Sequence, residues 1–305
     1  MRMFLIYGVT ILCAGVRSIL TKQNGKINGS ASLFNFLRAF SAFVLFGILA
    51  LVSGFQTHYP TLLYGVAYGI LFFGSCFCGF RAMSRGPLGI TSSLVAFSLV
   101  IPCVFGAVFL EEQIGVFDVV GFVLVAVSIV MMNKKKHAAS HHGTSSYHED
   151  VKKDENEPKF KKGWWIYVLG TVICDGLHAT IKTLHQTSYP KAYRYEFMCV
   201  GMFVGCVAFL FLMYKNRRII IERGKERGIK CGIYGVIAGI ANGGYNYLVL
   251  YLASSESAMA LFPIVSVATI AIGLLSGWLI FKEHLHKMQI VGVLIAAIAI
   301  FFIKI

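Results

Sequence analysis

Residues 61–83 read TLLYGVAYGILFFGSCFCGFRAM, and residues 231–253 read CGIYGVIAGIANGGYNYLVLYLA. Both stretches are rich in apolar residues, and Arg81 is the one charged residue they contain between them. A bilayer core about 30 Å thick needs roughly 20 such residues in a helix, because unpaired backbone groups in lipid are costly. Both stretches are therefore predicted to span a membrane. They also share the pattern Tyr-Gly-Val followed by Gly-Ile, at a spacing of 170 residues.

Eight other stretches have the same apolar character. Over the whole chain 57% of residues are hydrophobic and 14% are charged, whereas soluble domains carry about 25% charged residues. A water-soluble core is therefore excluded. The predicted fold class is an all-α integral membrane protein with ten transmembrane helices, at residues 3–20, 32–53, 61–83, 88–110, 115–132, 164–183, 195–214, 231–253, 257–281 and 288–303.

The similarity between the two quoted stretches extends along the chain. At shifts of 161 and 171 residues the matching residues are Thr10, Cys13 and Gly15 with Thr171, Cys174 and Gly176, and Gly106, Glu112, Val120 and Gly121 with Gly277, Glu283, Val291 and Gly292. We therefore predict two five-helix repeats, residues 1–132 and 164–305, joined by a charged, flexible linker at 133–163. Because five is odd, the second repeat would enter the membrane from the opposite side, and such inverted repeats are common in secondary transporters. The first span has a partner inside the chain, which argues against a signal peptide.

The basic residues fall mostly on one side of the predicted bundle. If successive spans cross the membrane in alternating directions, the loops after the odd-numbered spans all lie on one side. These loops hold 20 of the 28 Lys and Arg residues. The positive-inside rule then places the linker in the cytoplasm and both termini outside, with the plasma membrane as the expected location. The net charge of +14 is explained by this asymmetry, so nucleic acid is not expected as a partner.

Two hairpins carry a resemblance to a known family. They run from Phe80 to Glu112 and from Tyr251 to Glu283, and each closes with a glutamate before a Gly-containing last span. In this pattern the chain resembles the EamA-like transporters of the drug/metabolite transporter superfamily, over essentially its whole length except the linker. The resemblance implies ten helices and carriage of a small solute. It also implies cytoplasmic termini, which the charge count does not favour.

The sixth span carries an unusual polar stripe. Asp175, His178 and Lys182 lie at positions i, i+3 and i+7, so they share one helix face. A charge at the centre of a spanning helix costs about 2.5 to 3.5 kcal/mol on insertion scales, so the stripe should line the interior. An Asp with a His can exchange protons near neutral pH, which suggests a proton or substrate path. The alternatives are a structural ion pair and, for Lys182, a side chain that reaches out to the span end.

Two arginines lie within the first two spans. Arg17 is the repeat equivalent of His178, and Arg38 lies seven residues into the second span. A guanidinium is always charged and its forked donors suit a carboxylate or phosphate, so Arg38 is a candidate contact for a substrate anion or a gate. A buried pair with Asp175 or Glu196 is an equally open interpretation.

The eighth span contains Asn242-Gly243-Gly244-Tyr245-Asn246. Asn242 and Asn246 share a face, and the adjacent glycines permit a bend, so Asn242, Tyr245 and Asn246 are candidates for binding a solute. Glycines at this place could instead serve close helix packing.

The leading functional hypothesis is a secondary transporter of a small organic metabolite that works by alternating access, driven by exchange or by protons. We see no Gly-rich phosphate loop and no His-Glu-x-x-His pattern, so ATP use and membrane-enzyme chemistry are not expected, and neither is a cofactor. The eight cysteines make no metal-finger spacing, and we expect no metal site. A channel, a lipid-linked carrier flippase and a non-transporting scaffold remain alternatives. The expected partners are the solute and the bilayer, with a homodimer left open.

Overall fold

A computed structural model describes residues 2–85, 91, 94–111, 115–133, 162–215, 217, 225–281 and 287–304. Within these ranges the chain forms ten α-helices and no strand. They are α1 (Arg2–Lys26), α2 (Ala31–Val52), α3 (Tyr59–Arg85), α4 (Val100–Phe109), α5 (Val116–Asn133), α6 (Trp164–Ser188), α7 (Arg194–Lys215), α8 (Lys225–Leu252), α9 (Ala258–Phe281) and α10 (Lys287–Lys304). Most of the linker, and the two hairpin glutamates Glu112 and Glu283, lie outside the described residues.

Each of the ten predicted spans overlaps one of these helices. Six of them, α1, α2, α3, α6, α7 and α9, are long and apolar enough to cross a membrane, and α4, α5 and α10 belong to shorter apolar helices. The helical fold class is thereby confirmed, whereas the crossing of all ten helices stays a prediction.

The helices depart from the predicted bounds where polar residues extend them. Helix α8 begins at Lys225 instead of 231, and Glu226 pairs with Lys230 at 2.7 Å in its first turns. Such pairs four residues apart stabilise a helix that has left the apolar region. Pro102 lacks the N–H that would donate to the carbonyl of Ser98, and Phe97–Leu99 accordingly form a tighter 3₁₀ turn before α4.

The outward sides of the helices are covered by large apolar side chains. Leu63, Ile166 and Phe211 are more than 70% exposed, and many similar residues surround them. A soluble protein that exposed so many large apolar side chains would aggregate. These side chains are therefore suited to contact with lipid. Inside, one buried apolar cluster joins α4, α5, α8, α9 and α10, and a second joins α2, α3, α7 and α8.

Helices from the two halves alternate in the packing. Helix α1 packs against α8 and α9, and α6 packs against α3 and α4. Helices α2 and α7 pack against each other, while α2 also contacts α8 and α7 also contacts α3. Helix α5 pairs with α10. Suppose that every helix is exchanged for the one five places away in the chain. Each of these contacts then becomes either itself or another contact of the set, so the packing has an approximate two-fold relationship.

Contacts between helix ends define two faces of the bundle. At one, which we call the linker face, Arg85 at the end of α3 donates a hydrogen bond to the carbonyl of Lys162 just before α6 (3.4 Å). At the other, the opposite face, the backbone N–H of Gln56 before α3 donates to Oε1 of Glu196 in the first turn of α7 (3.3 Å).

Candidate functional site

A cavity of about 530 Å³ lies between the two sets of helices. Its walls come from α1, α2, α3, α6, α8 and α9 and from Val95, Ser98 and Leu99 just before α4. It extends from Asn24, Gly25 and Gly29 at the linker face to Val249 and Phe262 near the opposite face. All seven residues that the sequence singled out line it, namely Arg17, Arg38, Asp175, His178, Asn242, Tyr245 and Asn246. The structure thus brings together residues from four helices that are far apart in the sequence.

Arg17 is held against α8. Its Nη1 donates a hydrogen bond to Oδ1 of Asn242 (3.2 Å), and its guanidinium carbon lies 4.5 Å from the centre of the Tyr245 ring. The hydrogen bond uses the only oxygen of the Asn242 side chain, while its Nδ2 is buried and has no acceptor. In the part of the chain that the structure describes, Arg17 forms no ion pair with a carboxylate, and it contacts both predicted residues Asn242 and Tyr245.

Arg38 points to α3. Its Nη2 lies 2.7 Å from Sγ of Cys76, its guanidinium carbon lies 5.3 Å from the centre of the Phe72 ring, and its Nε is buried without an acceptor. It forms no ion pair with Asp175 or Glu196 in the described part of the chain. The structural ion pair proposed as an alternative for Arg38 is therefore absent from this conformation.

Asp175 and His178 have separate partners, although they are one turn apart on α6. Ser75 on α3 donates a hydrogen bond to Oδ1 of Asp175 (2.5 Å). The ring of His178 stacks on Tyr68, with centres 4.3 Å apart, and its Nε2 is buried and unpartnered.

Lys182 is the deepest cation of the site. It is only 3% exposed, and its Nζ donates a hydrogen bond to Oδ1 of Asn246 (3.2 Å). Asn246 in turn donates from Nδ2 to the carbonyl of Asn242 (2.9 Å). The interpretation in which Lys182 reaches out to the span end is therefore wrong, because α6 continues to Ser188 and keeps this residue inside the bundle.

Sequence reasoning missed the contribution of α3. Phe72, Ser75 and Cys76 supply the partners of Arg38 and Asp175. Serine, cysteine and phenylalanine are ordinary residues in a spanning helix, so nothing in their identity marks them. A weak signal existed in the small residues Ser75 and Gly79, which lie four apart and both line the cavity.

A second polar network closes the bundle at the opposite face. Thr61 on α3 hydrogen-bonds through Oγ1 to Nδ1 of His58 (2.9 Å) and to Nε2 of His185 on α6 (3.1 Å). Gln186 contacts Nδ1 of His185 (3.0 Å) and accepts from Nε of Arg194 on α7 (2.7 Å). We call these five residues, together with Ser254, the closing network.

Ser254 completes that network at the end of α8. Arg194 donates from Nη2 to its Oγ (2.6 Å), and the guanidinium carbon lies 4.6 Å from the centre of the Tyr251 ring. Thr61, His185, Gln186 and Arg194 are at most 8% exposed. Since Lys182 lines the cavity and His185 follows it by one turn, the closing network lies between the cavity and the opposite face.

Within the described residues, no group of three or more His, Cys, Asp or Glu side chains could hold a metal ion. The eight cysteines are all free thiols.

An all-helical bundle with lipid-suited outer surfaces and an internal polar cavity is the architecture of a membrane carrier. The model of the EamA-like transporter family matches residues 3–134 and 163–305, and the chain belongs to this family. Membership makes it an integral membrane protein of the drug/metabolite transporter superfamily, whose members transport small molecules.

The fold is also found in solved structures. A structure described as "Crystal structure of protein" superimposes with a TM-score of 0.69 at 14% sequence identity, covering 98% of this chain and 94% of that chain. At this identity the likeness concerns the fold alone. No curated protein matches the chain significantly.

Proposed function

We propose that the protein is a secondary transporter that carries a small organic metabolite by alternating access between two inverted five-helix repeats, residues 1–132 and 164–305. The exchange symmetry of the helix contacts supports this division, as does the double match of the family model. The charged linker at 133–163 would join the repeats on the cytoplasmic side of the plasma membrane.

The observation that carries the proposal is the asymmetry of the cavity. The cavity begins among residues of the linker face, and its polar groups lie within the predicted spans. It ends before the closing network, which lies between it and the opposite face. A carrier needs such a site with one end shut, whereas a channel needs a continuous path and a scaffold needs no site. In the opposite state the closing network would separate and the linker-face end of the cavity would close.

The proposal is tested with the purified chain in liposomes. Vesicles are incubated with a labelled metabolite pool, and uptake is compared with and without the same solutes preloaded inside. A carrier gives saturable uptake that internal solute accelerates. Uptake that never saturates and ignores internal solute would indicate a channel, and no uptake at all would indicate a scaffold.

Matched variants connect the flux to the cavity. Arg38→Gln alters a cavity residue, whereas Arg81→Gln alters an arginine of α3 whose guanidinium lies on Phe77 and Tyr167 outside the cavity. We expect Arg38→Gln to lose uptake and Arg81→Gln to keep it. Equal rates for both variants would contradict the assignment of the site.

A further inference from the structure

The cavity is unusually rich in positive charge. Arg17, Arg38 and Lys182 line it, against Asp175 as the one carboxylate among the described residues of its walls. Both guanidinium groups remain charged under physiological conditions. A charge in a spanning region costs several kcal/mol unless something compensates it, so this excess requires a counter-charge.

Among the described residues that line the cavity, Asp175 offers one carboxylate against three basic groups, which leaves the counter-charge incomplete. Within the described residues, each of the three basic side chains donates a hydrogen bond only to a neutral group: Asn242 for Arg17, Cys76 for Arg38 and Asn246 for Lys182. The Asp175 carboxylate accepts its hydrogen bond from Ser75 instead. The basic groups are therefore held in place by neutral partners, and their charges are not paired with the Asp175 carboxylate.

In the described part of the chain, unused hydrogen-bonding capacity in the cavity comprises donors at Arg38 and Asn242, the acceptor Oδ1 of Asn24 at the linker-face end, and Nε2 of His178. Nε of Arg38 and Nδ2 of Asn242 are both buried donors without an acceptor, and Asn242 is only 1% exposed. A buried donor left unpaired costs about 1–3 kcal/mol. A solute that brings oxygen acceptors removes this cost, while a solute that brings only donors does not.

We propose that the transported solute is an organic anion, whose carboxylate or phosphate oxygens are bound by Arg17, Arg38 and Asn242. Its less polar part lies against the rings of Phe72 and Tyr245, which flank the two guanidinium groups. The volume of about 530 Å³ suits a metabolite of ordinary size. This inference rests on the proposed transport function, because it names the solute class of the same cavity.

The first test measures binding by thermal unfolding of the detergent-purified protein. The probes are 2-oxoglutarate and phenylpyruvate as carboxylates, glycerol 3-phosphate as a phosphate, choline as a cation and glucose as a neutral solute. We expect at least one anion to raise the unfolding temperature, and the carboxylate and phosphate arms tell the two anion types apart. Stabilisation by choline or glucose alone, or by no probe, overturns the proposal.

Variants locate the binding. Arg17→Gln and Arg38→Gln should each weaken the binding of the stabilising anion by about tenfold to a hundredfold, because each removes a charge-assisted hydrogen bond. Arg81→Gln should leave it unchanged. Unaltered anion binding in both cavity variants also overturns the proposal.

A second test needs no knowledge of the solute. The thiol of Cys76 lies in the cavity beside Arg38, whereas Cys174 on α6 lies outside it. The protein is treated with an anionic or a cationic ethyl methanethiosulfonate of similar size, and labelling at each cysteine is measured by peptide mass spectrometry.

Relative to the ratio found for free glutathione, Cys76 should favour the anionic reagent by about tenfold or more, since a positive cavity concentrates anions. This preference should fall in Arg38→Gln and should be absent at Cys174. A preference of Cys76 for the cationic reagent, or none, contradicts a site for anions.

The two proposals fail separately. If anions bind and no flux is detected in liposomes, the transport function is wrong and the anion site stands. If a cation or neutral solute is carried and Arg38→Gln carries it equally well, transport stands and the anion proposal is wrong.

Discussion

Gly69 on α3 and Gly239 on α8 have the same role in opposite halves of the chain. A Cβ at Gly69 would collide with the carbonyl of Gly201 on α7, and a Cβ at Gly239 would collide with the carbonyl of Arg38 on α2. The two positions are 170 residues apart, which is the spacing of the repeated sequence pattern. The repeat therefore extends from the sequence to the way in which helices of the two halves cross.

Replacing either glycine by alanine should destabilise the bundle. The added methyl meets backbone, which has no room to move aside, so we expect a loss of about 1–3 kcal/mol for Gly69→Ala and for Gly239→Ala. Thermal unfolding in detergent measures this. Gly273→Ala is the control, because nothing lies within 4 Å of its Cβ position. Equal stability of all three variants would contradict the close crossings.

Asp175 is the residue at which we expect proton coupling. In liposomes with an imposed pH gradient, Asp175→Asn should reduce gradient-driven uptake at least about tenfold while it preserves exchange of solute for solute, because an amide cannot carry a proton. Glu226→Gln makes the same chemical change at an exposed position and should have no effect. If the response of Asp175→Asn to the gradient equals that of the native chain, Asp175 does not carry the coupled proton.

Thr61 should control how often the opposite face opens. Thr61→Val keeps the shape of the side chain but removes the hydroxyl that bonds to His58 and His185. The loss of buried hydrogen bonds should make opening easier by about 1–3 kcal/mol. Amide hydrogen exchange in peptides covering 186–196 and 250–258 should therefore become faster.

Thr180→Val is the matched control for that experiment. Thr180 is also buried, but its hydroxyl donates to the carbonyl of Gly176 on its own helix (2.9 Å) and does not contact the closing network. Exchange in the two peptides should stay as in the native chain. The same acceleration in both variants would show that the effect is general loosening.

Lys182 is expected to serve function at the expense of stability. Lys182→Met keeps a similar volume and removes a buried amine. The free energy of unfolding should therefore stay equal or rise, by up to about 4 kcal/mol, and the unfolding temperature should follow it. Uptake should be lost in the same variant. Lys215→Met, at the exposed end of α7, should change neither quantity. A strong destabilisation by Lys182→Met would indicate that Lys182 is a structural residue.

The sequence by itself determined where the helices lie. A hydrocarbon core about 30 Å thick requires long apolar stretches. A helix overlaps each of the ten stretches predicted on that basis. It also determined which residues to suspect, because a charge or amide within such a stretch is costly and needs a reason. Six of the seven candidates have an ionisable or amide side chain, Tyr245 was selected with the neighbouring Asn242 and Asn246, and all seven line one cavity.

Only the tertiary structure decided the partners. Arg38 contacts Cys76 and not Asp175, Lys182 turns inward to Asn246, and His185 joins a network with Thr61 that no pattern in the sequence indicates. Helical periodicity tells which residues share a face, but it does not tell which face of another helix lies opposite. That choice is made by the packing of all the helices together, including crossings such as those at Gly69 and Gly239.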